Sequence, residues 1–353
     1  MQKYFATFYV AYPYYFPHFL PISKELIRRG YSIYFVLSNK QNSQLMEKIA
    51  KDNSLDYSFG EERLFEIESK FIFFANPYKR ADELKAATIF LEHGIGTKST
   101  GFYHVVEYID IYLVEGTYKY NRISELYKEH QDKLKIVGFS KFDSIINMGK
   151  DEKISLYKKY GLDPTKKTIL YAPTFFPSSI EKMSDNFPDD FKECNIIVKA
   201  HYLTYERKRY KNQRKKLSHW SSFQNCTVVG VDEYNLVPFF AISDVMISDE
   251  SSAMFEFASL NRPVISNRYF KLRFSYYFMP WKLKKRIDSK KDKYRQILDN
   301  ADNYNETMQL TKEALTNPSK LEDLRVKFSK EICGEIDGKV SSRIVDILES
   351  RDV

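Results

Sequence analysis

The sequence predicts an α/β protein made of two Rossmann-like domains that face a central cleft. The chain has 353 residues, which is more than one ordinary hydrophobic core holds. Short apolar or β-branched runs alternate with helical stretches, as they do in the βα units of a parallel sheet. The alternation weakens after Gly138 and resumes at Thr168, so the units fall into two successive series of similar size.

The first series predicts an N-terminal domain over residues 1–150. Its expected strands are Tyr4–Val10, Ser32–Leu37, Phe71–Phe74, Thr88–Glu92, Ile111–Val114 and Leu134–Val137. Its expected helices are Ile22–Arg29, Gln41–Lys51 and Arg122–His130. Gly30 follows the first helix, at the position where glycine commonly ends a helix because it adopts a left-handed conformation without strain.

The second series predicts a C-terminal domain over residues 151–318, entered through a linking helix at Glu152–Tyr160. Its expected strands are Thr168–Ala172, Asn195–Ala200, Cys226–Val229, Val245–Ser248 and Pro263–Ile265. Its expected helices are Glu233–Ala241 and Ser252–Leu260. Residues 319–353 predict two charged amphipathic helices, separated around Gly334–Gly338, that pack across the two domains.

Composition and charge exclude several classes of protein. Hydrophobic residues make up 43% of the chain and charged residues 29%, which excludes wholesale disorder and fibrous repeats. The three cysteines contain no CxxC pair, so we expect reduced thiols and neither a disulfide framework nor a zinc site. A net charge of +8 favours anionic partners. Residues 4–23 are uncharged but contain three prolines and lack the pattern of a signal peptide, so we expect a cytoplasmic protein.

Several catalytic motifs are missing from the sequence. The P-loop, HExxH, GxSxG and DxD patterns are absent, which argues against P-loop ATPases, zinc proteases, typical α/β-hydrolases and metal-dependent single-sheet glycosyltransferases. Basic clusters occur at 207–216 and 282–293, but such runs are more often solvated faces, and no nucleic-acid recognition module surrounds them. We therefore expect no metal, no cofactor and no nucleic-acid partner.

Residues 243–258 carry the strongest local signal for a ligand site. A buried strand ends there, a polar turn follows, and a helix begins with hydroxyl groups at Ser251 and Ser252. The N–H groups and the dipole at a helix start bind anions, whereas simple capping by Asp249 or Ser251 is the structural alternative. Glu256 lies on the same helical face as Ser252, where it could reach ribose hydroxyls or only water.

Two other strand ends place chemically active side chains at the predicted cleft. Lys199 and His201 share one face where the strand at 195–200 ends, and a cation beside an imidazole suits a pyrophosphate and its leaving group. The alternative for His201 is a plain hydrogen bond to a loop carbonyl. His93 follows the strand at 88–92 and leads into a glycine-containing turn, so it is a candidate general base.

Taken in order, four blocks resemble those of the CDP-glycerol glycerophosphotransferase family, the teichoic-acid primases and polymerases. They are HGIGTK at 93–98, ILYAPTF at 169–175, VKAH at 198–201 and SDESSAMFEFASLNRP at 248–263. Residues 137–143 loosely match a fifth block. The chain departs from the family pattern at Glu92, where an aromatic residue is usual, and at Phe175-Phe176, where Trp-Arg is usual.

The resemblance implies a GT-B architecture, with an acceptor domain first and a CDP-alditol donor domain second. It implies transfer of glycerol phosphate or ribitol phosphate from a CDP-activated donor to a hydroxyl of a glycan or polyol-phosphate acceptor, with release of CMP, in teichoic acid or capsule synthesis. We expect His93 to act as general base, and Lys199 and His201 to stabilise the diphosphate and the departing CMP. The other expected donor-binding residues are Thr174, Asp249, Ser251, Ser252 and Glu256, and the expected acceptor-side residues are Gly94 and Lys98.

Two alternatives stay open at this stage. A GT-B glycosyltransferase that uses a nucleoside-diphosphate sugar would share the whole architecture and the ribose carboxylate. A non-catalytic nucleotide-binding component of an envelope-assembly complex would keep the binding residues, although the presence of both His93 and His201 argues against it. Substrate trials separate these functions, because CMP, UDP or GDP release identifies the donor.

The expected acceptor is a lipid-linked or oligomeric glycan, which brings the enzyme to the inner face of the cell membrane. Segment 271–286 mixes aromatic residues with six cations and no acid. Aromatic rings settle at the headgroup level, and cations are attracted to anionic lipids. The segment therefore predicts peripheral contact with an anionic membrane surface, unless its rings simply pack beneath a loop.

Overall fold

A computed structural model describes residues 3–40, 42–95, 100–272 and 294–351 of the chain. The chain divides into two compact units: unit 1 comprises Met1–Asn147 and Lys330–Val353, and unit 2 comprises Met148–Ser329. The C-terminal segment expected at 319–353 is therefore shared, because residues 319–329 belong to unit 2 and the remainder returns to unit 1.

Unit 1 is built on a sheet whose described strands are all parallel. These strands are β1 (Lys3–Val10), β2 (Ile33–Leu37), β3 (Tyr57–Phe59), β4 (Glu68–Phe74), β5 (Ala87–Leu91), β6 (Ile111–Val114) and β7 (Leu134–Ile136). Their order in the sheet is β3-β2-β1-β4-β5-β6-β7. Six of them were expected from the sequence; β3 was not, because three half-buried residues at a sheet edge form no apolar run.

Unit 2 contains a second parallel sheet. Its described strands are β8 (Thr168–Tyr171), β9 (Asn195–Val198), β10 (Cys226–Val228), β11 (Val245–Ser248), β12 (Val264–Asn267) and β13 (Asp299–Ala301). Their order is β10-β9-β8-β11-β12-β13. The first five were expected, whereas β13 is short, polar and at the sheet edge, so it carries little apolar signal.

Helices connect these strands. The described α-helices are α1 (Phe16–Arg28), α2 (Ser43–Asp52), α3 (Thr117–Leu126), α4 (Asp143–Ile146), α5 (Lys150–Lys159), α6 (Tyr202–Glu206), α7 (Lys211–Trp220), α8 (Val237–Ile242), α9 (Ala253–Ser259), α10 (Tyr304–Thr316), α11 (Glu322–Cys333) and α12 (Val340–Glu349). The described 3-10 helices are Pro13–Tyr15, Glu61–Phe65, Ala81–Glu83, Thr100–Glu107, Lys128–Lys133, Ser140–Phe142, Ile180–Lys182, Asp189–Phe191 and Lys208–Tyr210.

Helix α1 begins six residues earlier than the sequence suggested. Its start at Phe16 places Pro17 in the first turn, where the missing backbone N–H removes no intrahelical hydrogen bond. Phe19, Ile22 and Leu26 are fully buried at helical spacing, so an apolar face against the core keeps the segment helical although it contains a further proline.

The tail of the chain is tied into unit 1 by a buried carboxylate. Asp143 accepts hydrogen bonds from the backbone N–H groups of Val340 and Ser341, at 3.1 and 2.7 Å. Because these are the first N–H groups of α12, Asp143 caps that helix from another part of the chain. The loosely matched block at 137–143 thus has a structural role here.

Candidate active site

The candidate donor residues of unit 2 follow three adjacent strands. Strand β8 lies between β9 and β11 in the sheet, so the segments after these strands emerge at one edge, the usual ligand-binding edge of an open α/β sheet. The segments are linked: the N–H of Lys199 donates to the Tyr171 carbonyl at 2.9 Å, and the Phe175 and His201 ring centroids lie 4.8 Å apart. The structure therefore brings the predicted blocks at 169–175, 198–201 and 248–263 together.

Asp249 organises the loop that follows β8. It is 1% exposed, and its carboxylate accepts from the Thr174 N–H at 2.6 Å, the Ser179 N–H at 3.0 Å and the Ser179 hydroxyl at 3.1 Å. Burial raises the pKa of Asp249 to about 7, although these hydrogen bonds oppose the shift. A carboxylate committed to this loop positions Thr174, and the donor contact expected for Asp249 from the sequence stays a prediction.

Lys199 presents a half-buried cation at the end of β9. Among the described residues its ammonium has neither a hydrogen-bond partner nor an ion-pair partner. Burial lowers the pKa of Lys199 to about 8, and the charge of Glu233 offsets only part of that shift. Glu233 itself is held by Lys159 at 2.9 Å and by Tyr160 at 2.6 Å. An anionic ligand could therefore neutralise the charge of Lys199.

The hydrogen bond of His201 fixes which ring nitrogen carries the proton. His201 is the N-cap of α6, and its Nδ1 accepts from the Leu203 N–H at 3.2 Å. An accepting Nδ1 must carry its lone pair, so the neutral ring has its proton on Nε2. His201 can therefore donate a hydrogen bond through Nε2.

The turn after β11 differs in detail from the sequence expectation. Helix α9 starts at Ala253, with Ser252 as a cap residue that makes no side-chain capping bond. The Ser251 hydroxyl accepts from the Ala253 N–H at 3.2 Å, so Ser251 supplies the capping considered as an alternative. Glu256 is 4% exposed and interacts with other parts of the protein, so a ribose would have to displace its neighbours to reach it.

In unit 1, the Nδ1 atom of His93 is the donor of its hydrogen bond, whereas Nδ1 of His201 is an acceptor. Its Nδ1 lies 2.8 Å from the Ala75 carbonyl oxygen. A carbonyl only accepts, so Nδ1 carries the proton and Nε2 carries the lone pair of a base. The rings of Tyr14 and Tyr15 each lie 5.2 Å from the His93 ring, which confines its orientation. Gly94, the next residue, is buried.

His18 lies beside His93, although nothing in its sequence surroundings drew attention to it. It is 1% exposed, and its ring donates a hydrogen bond to the backbone of His93. Its Nδ1 has no hydrogen-bond partner among the described residues, so the donating nitrogen is Nε2. Burial lowers the pKa of His18 well below its ordinary value, and Lys141 and His93 lower it further. A neutral histidine thus supports the backbone that carries His93.

A buried charge cluster also adjoins His93. Lys119 of α3 donates to Glu92 at 2.6 Å and to Glu115 at 2.7 Å, and all three side chains are at most 6% exposed. Glu92 and Glu115 follow the paired strands β5 and β6. Burial raises the pKa of Glu115, and although burial alone would lower the pKa of Lys119, the two glutamates raise it. Sequence spacing could not reveal this cluster, because Glu92 is distant in the chain.

Some predicted features lie outside the described residues. Lys98, expected on the acceptor side, is one of them, and so is most of the basic aromatic segment 271–286. Within the parts of the chain that the structure describes, no helix combines the length and apolarity needed to span a bilayer.

The sequence profile of the CDP-Glycerol:Poly(glycerophosphate) glycerophosphotransferase family matches residues 75–350, more than three quarters of the chain. The chain belongs to this family. The glycerophosphotransferase profile covers every block on which the resemblance was based, and it extends to α12 near the end of the described chain.

Two curated relatives from Bacillus spizizenii share part of the chain. The teichoic acid glycerol-phosphate primase is 33% identical over 115 residues, which cover 32% of this chain and 28% of the primase. The teichoic acid poly(glycerol phosphate) polymerase is 29% identical over 126 residues, which cover 33% of this chain and 29% of the polymerase. The matched region thus spans less than a third of either relative.

A solved structure shows the fold similarity more widely. A variant of the wall teichoic acid polymerase TagF, soaked with CDPG, superimposes with a TM-score of 0.69 at 16% identity, covering 98% of this chain and 88% of that chain. Together with the two parallel α/β units, this similarity confirms the predicted GT-B fold class.

Proposed function

We propose that the protein transfers a polyol phosphate, such as glycerol or ribitol phosphate, from a CDP-activated donor to a hydroxyl of a glycan or polyol-phosphate acceptor. CMP is released, and the product extends a cell-envelope polymer such as teichoic acid or capsule. Membership of the glycerophosphotransferase family supports this function, as do the names of the curated relatives and the CDPG soaked into TagF. The observation that carries the proposal is the protonation of the two histidines: hydrogen bonding leaves a lone pair on Nε2 of His93, which suits a base, and a proton on Nε2 of His201, which suits a donor.

The donor side of the reaction belongs to unit 2. The diphosphate of the donor is an anion that Lys199 can neutralise, and the Nε2–H of His201 can donate to the same group. The backbone at Ser252 adds an N–H group at a helix start, whereas the Ser251 N–H already donates to the Asp249 carbonyl at 2.6 Å. Asp249 holds the Thr174 loop in place, and the ribose contact predicted for Glu256 would require this buried side chain to exchange its present partners.

The acceptor side belongs to unit 1. Nε2 of His93 takes the proton from the acceptor hydroxyl as its oxygen forms a bond to the phosphorus that bears the polyol. The bond from that phosphorus to the CMP oxygen breaks, and the electron pair leaves with CMP. Lys199 and His201 stabilise the charge that develops on the leaving phosphate. Positioning and charge neutralisation dominate such transfers.

The test measures nucleotide release from CDP-glycerol, CDP-ribitol and UDP- and GDP-sugars with a soluble acceptor. CMP release from a CDP-alditol is the expected result. His93→Ala should lower kcat about 100-fold or more while CMP affinity is kept, and Lys199→Ala with Ser252→Ala should weaken CMP binding. The matched controls are His104→Ala and His219→Ala, since both side chains are exposed.

The outcomes separate the alternatives. UDP or GDP release instead of CMP would make the protein a sugar transferase, and CDP-alditol binding without turnover would make it a binding component. Near-normal kcat in His93→Ala would place the base elsewhere, and unchanged CMP affinity in the double variant would exclude the α9 start as the phosphate site.

We also propose that the enzyme works at the inner membrane face, because a lipid-linked acceptor is held there. The basic aromatic segment 271–286 would make the contact. The full-length protein should sediment with anionic liposomes at low salt, and less as salt rises. Charge reversal at Lys282, Lys284 and Lys285 should abolish sedimentation but keep activity on a soluble acceptor. A wild-type protein that ignores anionic liposomes at low salt would end this proposal.

A further inference from the structure

We infer that a cavity in unit 1, at the carboxyl ends of β1, β2 and β4, binds the phosphate-bearing end of the acceptor. The cavity has a volume of about 580 Å³, which suits a small ligand the size of a few polyol or sugar units. The inference rests on the proposed function and makes it more specific: the acceptor is a hydroxylated anion, a polyol phosphate or sugar phosphate, and not an uncharged glycan.

The topology of unit 1 places the cavity. Strands β2, β1 and β4 are neighbours in the sheet, and the residues that follow each of them line the cavity, including Tyr12 after β1, Lys40 after β2 and Asn76 after β4. Ligands of open parallel sheets bind beyond these strand ends. The four blocks that resemble the family begin at residue 93, so none of them contributes to the cavity lining.

Tyrosine rings form much of the wall. Tyr9, Tyr12, Tyr15 and Tyr78 all line the cavity. An aromatic face covers the C–H groups of a polyol or sugar, while the phenol hydroxyl can bond to its alcohols. The wall therefore suits a ligand with carbon and hydroxyl groups in alternation.

Three buried polar atoms of the wall lack partners. Among the described residues, Tyr15 Oη, Asn76 Oδ1 and Tyr78 Oη make no hydrogen bond. An amide oxygen that is removed from water needs a donor, and a phenol hydroxyl can both donate and accept. A hydroxyl group of the ligand can donate to the amide oxygen, and it can donate to or accept from a phenol hydroxyl.

The charges of the wall favour an anion. The cavity is lined by Lys40, Lys79 and Arg80 but by one carboxylate, Glu61. Glu61 already accepts from Tyr9 at 3.1 Å and from Lys40 at 3.5 Å.

The two remaining cations differ in their partners. Arg80 is paired with Glu83 at 2.7 Å. Lys79 is exposed, and within the described residues it has neither an ion-pair nor a hydrogen-bond partner. Lys79 is thus the cation best placed for a ligand phosphate.

The cavity adjoins the proposed base. Tyr15 lines the cavity, and its ring lies 5.2 Å from the ring of His93. Ala75, whose carbonyl fixes the His93 ring, immediately precedes Asn76 of the cavity wall. A ligand held by its phosphate near Lys79 and by its hydroxyls near Asn76 therefore extends its free end toward His93.

The experiment uses the full-length protein and glycerol 3-phosphate as the probe, with binding followed by ligand-detected NMR or calorimetry. Lys79→Glu and Asn76→Ala should each weaken binding about tenfold or more, which equals about one lost charged or buried hydrogen bond. Lys85→Glu is the matched control, since it makes the same charge change at an exposed lysine nearby and should bind normally. Glycerol and inorganic phosphate should each bind more weakly than glycerol 3-phosphate.

Competition and kinetics decide between the cavity and the donor site. CMP should not displace glycerol 3-phosphate, and Lys79→Glu should raise the acceptor KM at unchanged CMP affinity. No binding by the wild-type protein, equal loss in Lys85→Glu, or displacement by CMP would overturn the inference.

Failure of the proposed function would look different. If no CDP-alditol is turned over but glycerol 3-phosphate binding still depends on Lys79, the cavity stands and the reaction assignment falls. If CMP is released but neither Lys79→Glu nor Asn76→Ala changes the acceptor KM, the reaction stands and the cavity assignment falls.

Discussion

Replacing Lys119 by methionine should destabilise unit 1 strongly. The variant keeps the length of the side chain but removes the cation shared by Glu92 and Glu115, so two carboxylates remain where side chains are at most 6% exposed. Each lost hydrogen bond to a charged group is worth about 1.5–3 kcal/mol, and breaking a buried ion pair from one side costs about 3–5 kcal/mol. We expect a loss of about 3–5 kcal/mol in the free energy of unfolding at pH 8.

The loss should shrink as the pH falls. Burial already raises the pKa of Glu115 from its ordinary value of 4.5, and removal of Lys119 should raise it further. The folded state then binds more protons than the unfolded state above pH 4.5, so stability falls as the pH rises. Protonation at pH 6 therefore relieves part of the repulsion between Glu92 and Glu115, and the variant should lie closer to wild type than at pH 8.

Urea unfolding with two probes locates the effect. Both tryptophans of the chain fall within residues 148–329, so tryptophan fluorescence follows unit 2, while hydrogen exchange of peptides from β6 and α3 follows unit 1. Lys48→Met is the matched control: it removes another i,i+4 ion pair whose partners are 67% and 58% exposed, worth about 0.5 kcal/mol at most. A loss below about 1 kcal/mol at pH 8, or one unaffected by pH, would refute the reasoning.

The other predictions concern single residues of the site. Because the pKa of Lys199 is lowered to about 8, this side chain loses its charge between pH 7 and pH 9, and CMP affinity measured by calorimetry should fall over that range. The Lys199→Arg variant should bind CMP equally at both pH values. A wild-type affinity that stays constant would contradict the role of Lys199. Because the pKa of Asp249 is raised from 3.8 to about 7, the folded state holds an extra proton in that window. The fluorescence-detected urea midpoint should therefore fall from pH 4 to pH 7, and Asp249→Asn should remove this dependence; a slope kept in the variant would assign it to another group. His18→Ala should lower kcat with unchanged CMP affinity. His18→Gln can still donate to the His93 backbone and should therefore restore part of the lost kcat. Equal losses of kcat in the two variants would mean that His18 contributes only packing.

The four blocks that resemble the family could be recognised in the sequence because the polar side chains of each block lie within a few residues of one strand end. Lys199 and His201 are two residues apart at the end of β9, and His93 follows β5 directly, so strand periodicity alone places them at the ligand-binding edge. The strands themselves were found for the same reason, since buried parallel strands form continuous apolar runs.

What the sequence could not predict depends on contacts between distant segments. His18 supports His93 from 75 residues away along the chain, and its own neighbours are prolines and aromatics that draw no attention to it. The loop after β8 takes up the Asp249 carboxylate from 70 to 75 residues earlier in the chain, a contact that no local pattern predicts. The ring nitrogen that carries the proton in His93 and in His201 likewise depends on a backbone group, the Ala75 carbonyl or the Leu203 N–H, that no motif specifies.

The division of the chain between the two units bears on the order in which they can form during synthesis. Unit 2 is one continuous stretch, Met148–Ser329, whereas unit 1 needs both Met1–Asn147 and Lys330–Val353. A ribosome therefore delivers every residue of unit 2 before it delivers α12, and Asp143 must wait for the N–H groups of Val340 and Ser341. Of the two units, unit 1 therefore begins first and is completed last, because α12 leaves the exit tunnel after all of unit 2.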